Sequence, residues 1–335
     1  ALVPGLKDLG YRIGYIGSYN GIERSLVEKA GIPYYGISSG KLRRYFDLKN
    51  LSDPFRVLKG FAESVKILKK ERPDIIFSKG GFVSVPVVRA AGILKIPVVI
   101  HESDMTPGLA NRLCQSSASK ICCNFPETLN SLPKEKAVLS GSPIREELHT
   151  GNKAKAMEFC GFKDDKPVIM VMGGSLGAAT VNQYIRSILK DLTKTFNVIH
   201  LCGKGKTDDS LNDTPGYVQF DYVKDELKDL FALSDVLISR AGANAICEIL
   251  ALKKPNLLIP LSAKASRGDQ VLNARSFEKQ GFSMVIEEED LTGELLLSSV
   301  NKLYDNRYHY IEKMASSSQN NAIDTIIGLI GSLTS

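Results

Sequence analysis

Short runs of β-branched and aliphatic residues alternate with helix-period segments along this whole chain, and that alternation constrains the fold more than any other feature. Strands are expected at 12–17, 34–37, 74–78, 98–101, 121–124 and 137–140, then at 168–172, 198–202, 218–222, 236–239, 256–260 and 283–287. Parallel neighbours need a crossover of a dozen or more residues, usually a helix, so this order specifies βαβ units. The runs Pro97-Val-Val-Ile-His101 and Pro167-Val-Ile-Met-Val-Met172 are apolar almost throughout, as strands covered on both faces must be. At 335 residues the chain exceeds one ordinary core and suits two. The expected fold is therefore α/β: two Rossmann-like, doubly wound domains facing a central cleft. Their expected bounds are 1–148 and 149–318, with a last helix over 319–335 returning to the first domain. The opening Leu2–Gly10 reads as the end of a helix, whereas a doubly wound domain begins with a strand and a glycine-rich turn. Such a strand and loop are expected to precede Ala1.

Composition narrows the function classes. No apolar run approaches the ~20 residues that span a bilayer, and Ala1-Leu2-Val3-Pro4-Gly5-Leu6 offers neither a basic segment nor a cleavage site. The six cysteines form no Cys-x-x-Cys pair and the four histidines do not cluster with them, so reduced, buried thiols and a cytoplasmic setting are expected. Between Lys41 and Arg72 stand ten Lys or Arg against four Asp or Glu, an excess equal to the +6 of the whole chain. An anionic surface would be met there. Within that stretch Leu51, Phe55, Leu58 and Phe61 fall along a helical stripe beside Arg56 and Lys59, which suits either a core-facing helix or one resting on a membrane. No recognition motif accompanies the charge, so nucleic acid is not expected as a partner.

Three elements of the second half carry chemistry. Gly173-Gly174-Ser175-Leu176-Gly177-Ala178 joins a buried strand to a helix expected over 179–192; such a turn aims backbone N–H groups and the positive helix end at one spot, suited to phosphate. It is neither a dinucleotide fingerprint nor a P-loop. Ser239-Arg240-Ala241-Gly242-Ala243-Asn244 repeats the logic, with Glu248 one and a half turns later, where a carboxylate can accept from both hydroxyls of a ribose. Arg240 can meet an anion or pair with Asp235. In the segment 262–274, Asp269, Gln270 and Asn273 are residue types that bind sugar hydroxyls, although an N-capping Asp269 explains the loop equally well. In the first half, Ser78-Lys79-Gly80-Gly81 is another post-strand glycine turn, and His101-Glu102-Ser103-Asp104 closes a strand before Pro107-Gly108-Leu109-Ala110-Asn111. His101 is a ligand contact or a satisfied structural histidine.

The order and spacing of these motifs, together with Gly141-Ser-Pro-Ile-Arg145 and Gln270-Val-Leu-Asn273-Ala274, resemble the MurG family over nearly the whole chain. That resemblance implies a GT-B glycosyltransferase moving N-acetylglucosamine, with inversion, from UDP-GlcNAc to the muramyl C4 hydroxyl of undecaprenyl-linked lipid I. The enzyme would work peripherally at the cytoplasmic face of the cell membrane. By position it implies donor contacts at Arg145, Gly174, Ser175, Gly177, Val223 (uracil, through backbone), Arg240, Gly242, Ala243, Asn244, Glu248 (ribose), Asp269 and Gln270. Acceptor contacts are implied at Gly80, Gly81, His101 and Asn111, and a membrane patch at Leu51, Phe55, Leu58 and Phe61. The family's first glycine loop, Gly-Gly-Thr-x-Gly-His, would lie before Ala1, and its histidine is the first candidate for the base; Glu102 and Asp104 are the next. The chain has Ser103-Asp104 where the family often has Gln-Asn, and Asp269-Gln270 where it has Gln-Gln. No cofactor is required by the sequence; a divalent metal is possible but not indicated, and no metal ligands are assigned. The alternatives are a related transferase with another lipid acceptor, such as diacylglycerol, and a non-catalytic UDP-sugar-binding protein.

Overall fold

The computed structural model describes residues 1–40, 53–173, 178–264 and 268–334. Two compact units result, Ala1–Pro143 with Asn321–Ser335, and Ile144–Asn320. Ile144 and Leu148 pack into the second unit's core, so the division falls at 143/144 and not at 148/149.

The first unit runs through α1 (Leu2–Asp8), β1 (Tyr15–Ser18), α2 (Arg24–Lys29), β2 (Tyr34–Ile37), α3 (Asp53–Glu71), β3 (Ile76–Ser78), α4 (Ser84–Ile93), β4 (Val98–Glu102), α5 (Leu109–Cys114), β5 (Lys120–Cys123) and β6 (Ala137–Leu139). Strands β1 and β2 form a parallel pair, and β3-β4-β5-β6 a parallel sheet in chain order. Alternation along the strands explains the apolar run at 97–101. Val98 and Ile100 join Ile121 and Cys123 in one core with Leu68, Val88, Ala90 and Ala91 of α3 and α4. Val99 and Cys122 point the other way, to a separate core with Leu2.

The second unit comprises α6 (Lys153–Cys160), β7 (Val168–Met172), α7 (Ala179–Ser187), α8 (Leu189–Thr195), β8 (Asn197–Leu201), β9 (Tyr217–Phe220), α9 (Leu227–Leu233), β10 (Val236–Ser239), α10 (Ala243–Ala251), β11 (Asn256–Leu258), α11 (Asp269–Lys279), β12 (Met284–Val285), α12 (Gly293–Asp305) and α13 (Arg307–Ala315). Its parallel sheet has the order β12-β11-β10-β7-β8-β9. Ile169 and Val171 bury against α7, α8 and α12, while Val168 and Met170 bury against α6 and α9. The helix expected over 179–192 is instead two. Ile188 leaves helical geometry (φ −107°, ψ 8°) where the start of α12 presses on it: a Cβ on Gly293 would stand 2.9 Å from Ile188 Cγ2.

The last helix, α14 (Ala322–Thr334), packs in the first unit, where Ile326 and Ile330 cover Val99 and Cys122 beside Leu2. Its contact with α1 is tight enough that a Cβ on Gly5 would lie 2.8 Å from Ile327 Cδ1. Among the described residues no helix is long and apolar enough to cross a membrane.

Candidate active site

The strand order of the second unit locates a crevice before any ligand is considered. From β7 the chain builds outward to β8 and β9, then returns to the other side of β7 for β10, β11 and β12. Connections therefore leave β7 and β10 in opposite directions, and the gap at their carboxyl ends is where open α/β sheets bind ligands. Gly173 closes β7 and Ala178 precedes α7; Gly174, Ser175 and Gly177 lie outside the described residues. After β10, Gly242 caps α10 with extended backbone (φ −67°, ψ 134°), and a Cβ there would meet nothing within 4 Å. Space thus exists beside the N–H groups of that helix start. Ala243 is buried and Asn244 exposed.

Glu248 is not a solvated helix carboxylate. Its side chain is 22% exposed and lies 3.8 Å from the Arg145 guanidinium, which also meets Glu147 at 3.0 Å. Burial pushes the Glu248 carboxyl above the usual range, and Arg145 pulls it part of the way back. A partly desolvated carboxylate facing a half-exposed guanidinium offers an acceptor and a cation side by side.

Arg240 pairs with neither Asp235 nor solvent. It forms a nearly buried ion pair with Glu288 and donates to the carbonyls of Ile259 and Pro260, each at 3.1 Å. Asp235 accepts instead from the Val168 N–H at 2.8 Å. The pairing with Asp235 considered from spacing is thus corrected: Arg240 holds the ends of β10 and β11 together. Glu288 was missed because the sequence reading extended the last strand to 287, and β12 ends at Val285. Asp269 is the first residue of α11, not its cap; Gly268 takes that place with φ 79°. Gln270 Oε1 accepts from the Leu261 N–H at 3.0 Å, and Asn273 donates to the Ala241 carbonyl at 3.2 Å. The Val223 side chain is buried in the core.

In the first unit the strand-end groups form a different kind of site. Glu102 is buried and accepts from the N–H of Asp104 (3.1 Å), the N–H of Gly108 (2.9 Å) and Asn111 Nδ2 (2.8 Å), so one carboxylate shapes the loop 103–108. His101 is 0% exposed; its Nε2–H donates to the Gly141 carbonyl at 2.9 Å and Nδ1 faces Lys79 Nζ at 3.4 Å. Burial, then the Lys79 charge, push its pKa down to about 3, leaving a neutral imidazole. Of the two readings offered for His101, its burial and partners match that of a satisfied histidine, which helps to hold the 101–111 segment. Asn111 is also buried, but its Oδ1 has no hydrogen-bond partner among the described residues and stands 3.1 Å from where a Cβ on Gly80 would be. Gly80 and Gly81 have φ of 85° and 86°, values that side chains rarely adopt.

The expected membrane stripe divides. Phe61 packs on the core below α3, whereas Phe55 and Leu58 are 74% and 65% exposed; Leu51 lies outside the described residues. Leu58 and Phe61 line a cleft of about 690 Å³ with Val85, Ile93, Arg89 and Lys95.

Two parallel-sheet α/β units, one with a paired Arg and Glu at its switch point, define a doubly wound protein of the two-Rossmann-domain class. Residues 1–123 match the glycosyltransferase family 28 N-terminal domain, and residues 168–327 its C-terminal domain. The chain is 65% identical to a Lachnospira eligens protein named UDP-N-acetylglucosamine--N-acetylmuramyl-(pentapeptide) pyrophosphoryl-undecaprenol N-acetylglucosamine transferase, over 98% of this chain and 93% of that one. A Clostridium novyi protein of the same name is 61% identical over the same shares. Acinetobacter baumannii MurG shares the fold at TM-score 0.77 and 24% identity, covering 99% of this chain and 94% of that one. A Neisseria meningitidis UDP-GlcNAc 2-epimerase shares it at 0.67 and 14%, covering 95% and 90%. The chain belongs to glycosyltransferase family 28 and, within it, to the MurG family.

Proposed function

We propose that this chain transfers N-acetylglucosamine from UDP-GlcNAc to the muramyl C4 hydroxyl of undecaprenyl-pyrophosphoryl-MurNAc-pentapeptide, with inversion at the anomeric carbon. The observation that carries the reading is identity of 61–65%, over nearly its full length, with transferases named for that reaction. The glycosyl bond to the UDP oxygen breaks as the acceptor oxygen bonds to the anomeric carbon, and the hydroxyl proton goes to a base.

In this reading the second unit holds the donor. Glu248 accepts from the ribose diol and Arg145 offsets charge on the departing diphosphate, together with the N–H groups at the start of α7. Backbone near Val223 meets the uracil; Gly242, Ala243, Asn244, Asp269 and Gln270 meet the sugar. Arg240 acts through the backbone it holds. The first unit takes the acceptor, with the Gly80–Gly81 turn and Asn111 Oδ1 as its polar contacts. Glu102 is occupied by three donors, so Asp104, half-buried on the loop Glu102 shapes, is the carboxylate assigned to the proton. The exposed Phe55 and Leu58, flanked by Arg56 and Lys59, rest on an anionic membrane where the lipid-linked acceptor resides.

The test is transfer of labelled sugar from UDP-GlcNAc to a lipid I analogue, with diacylglycerol as a parallel acceptor. Labelled product on the lipid I analogue alone is expected. Product on diacylglycerol alone would move the chain to another acceptor class, and UDP-GlcNAc binding without transfer would make it a binding protein. Asp104→Asn is expected to lower kcat by about 10²–10⁴-fold with donor KM unchanged; wild-type kcat would remove Asp104 from that role.

A further inference from the structure

Glu288 lies in the short turn Glu288–Asp290 after β12, outside every segment assigned to the donor, yet it touches two of them. One carboxylate oxygen pairs with Arg240, in the turn between β10 and α10. The other accepts from the Ser262 N–H at 3.2 Å, at the head of the segment that leads to Asp269 and Gln270. The adjoining Glu289 accepts from the Ser262 hydroxyl, so the same segment is held twice. The side chains of Arg240 and Glu288 are 11% and 13% exposed, which places the pair where water screens it little.

We propose that Glu288 is a positioning residue for the sugar-nucleotide donor: its carboxylate ties the β10–α10 turn and the sugar-side segment into one body. The inference rests on the assignment of the donor to the second unit. A carboxylate suits the task because its two oxygens offer about four acceptor sites, whereas an amide offers one oxygen. Losing it frees two short segments to shift independently, and displacements near 1 Å are enough to cost binding and rate. Arg240, which keeps its bonds to Ile259 and Pro260, would then carry an uncompensated buried charge beside the donor.

The experiment uses the full chain, with UDP-GlcNAc and a lipid I analogue varied separately and the melting temperature followed alongside. Glu288→Ala is expected to raise donor KM by roughly 10–100-fold with acceptor KM unchanged. Glu288→Gln, which keeps one acceptor oxygen, recovers part of that loss. Glu288→Gln keeps the size and shape of the side chain, so its raised donor KM decides the matter even if Glu288→Ala does not fold. Folded variants with wild-type donor KM, whatever their melting temperatures, would overturn the proposal and leave Glu288 a structural strut. A wild-type chain that binds no UDP-GlcNAc would overturn the donor assignment and this inference together.

Discussion

Both units place carboxylates beyond or at the carboxyl ends of their strands, and they use them in opposite ways. In the first unit Glu102 receives two backbone N–H groups and an amide, all neutral, beside a histidine that burial keeps neutral. In the second unit Glu248 and Glu288 each face a guanidinium. Neutral donors make a rigid loop that presents shape, whereas paired ions leave strong charge at the strand ends, where a nucleoside diphosphate would need it. Strand-end carboxylates can therefore serve a scaffold or an ionic site, and the partners decide which.

That contrast makes the largest expected effect a loss of stability in the first unit. Glu102→Ala strips the acceptor from three donors and should cost on the order of 3 kcal/mol, read by urea unfolding. A cost below about 0.5 kcal/mol would mean that the loop 103–108 does not depend on it. Glu248→Ala should behave in the opposite manner. Burial already penalises this carboxylate, so stability should hold while UDP-GlcNAc affinity falls by roughly 10–100-fold, the loss of one charge-assisted hydrogen-bonding group. Because its pKa is raised, donor affinity should also weaken on acidification at a higher pH than an ordinary glutamate would give.

The third effect is a pH dependence of folding. His101 has a folded pKa pushed down to about 3 from 6.5, so between those values the unfolded chain binds a proton that the folded chain refuses. The contribution is complete above about pH 6.5 and declines below it, by about 2 kcal/mol at pH 5. Urea midpoints measured from pH 8 to pH 5 should fall, and the slope should shrink in His101→Gln. An imidazole signal for His101 titrating near 6.5 would contradict the neutral scaffold. The smallest effect on folding concerns Phe55 and Leu58. Serine at either should change stability by less than about 0.5 kcal/mol while reducing sedimentation with anionic vesicles. Unchanged vesicle binding would remove the membrane role.

Local pattern made much of the fold legible. All twelve expected strands are present, with ends displaced by at most three residues, because an apolar run bounded by turns depends little on distant sequence. Glu248 could be singled out because a carboxylate on the second turn after a glycine-rich helix start is a local signal. The Arg240–Glu288 pair could not, since 48 residues separate its members and spacing offered Asp235 first. For His101 the sequence offered a satisfied histidine as one reading but not its partner, since the carbonyl it meets belongs to Gly141, 40 residues on. Periodicity marked Phe55, Leu58 and Phe61 as one stripe but could not tell which of them the protein covers, and only Phe61 packs on the core.

The most direct test is hydrogen–deuterium exchange on the full chain with and without UDP. The account predicts slowed exchange in the second unit, in the segment from Arg240 to Glu248 and around Val223, and little change between His101 and Asn111 of the first. Slowed exchange confined to the strand ends of the first unit, with the Arg145–Glu248 region unaffected, would contradict it.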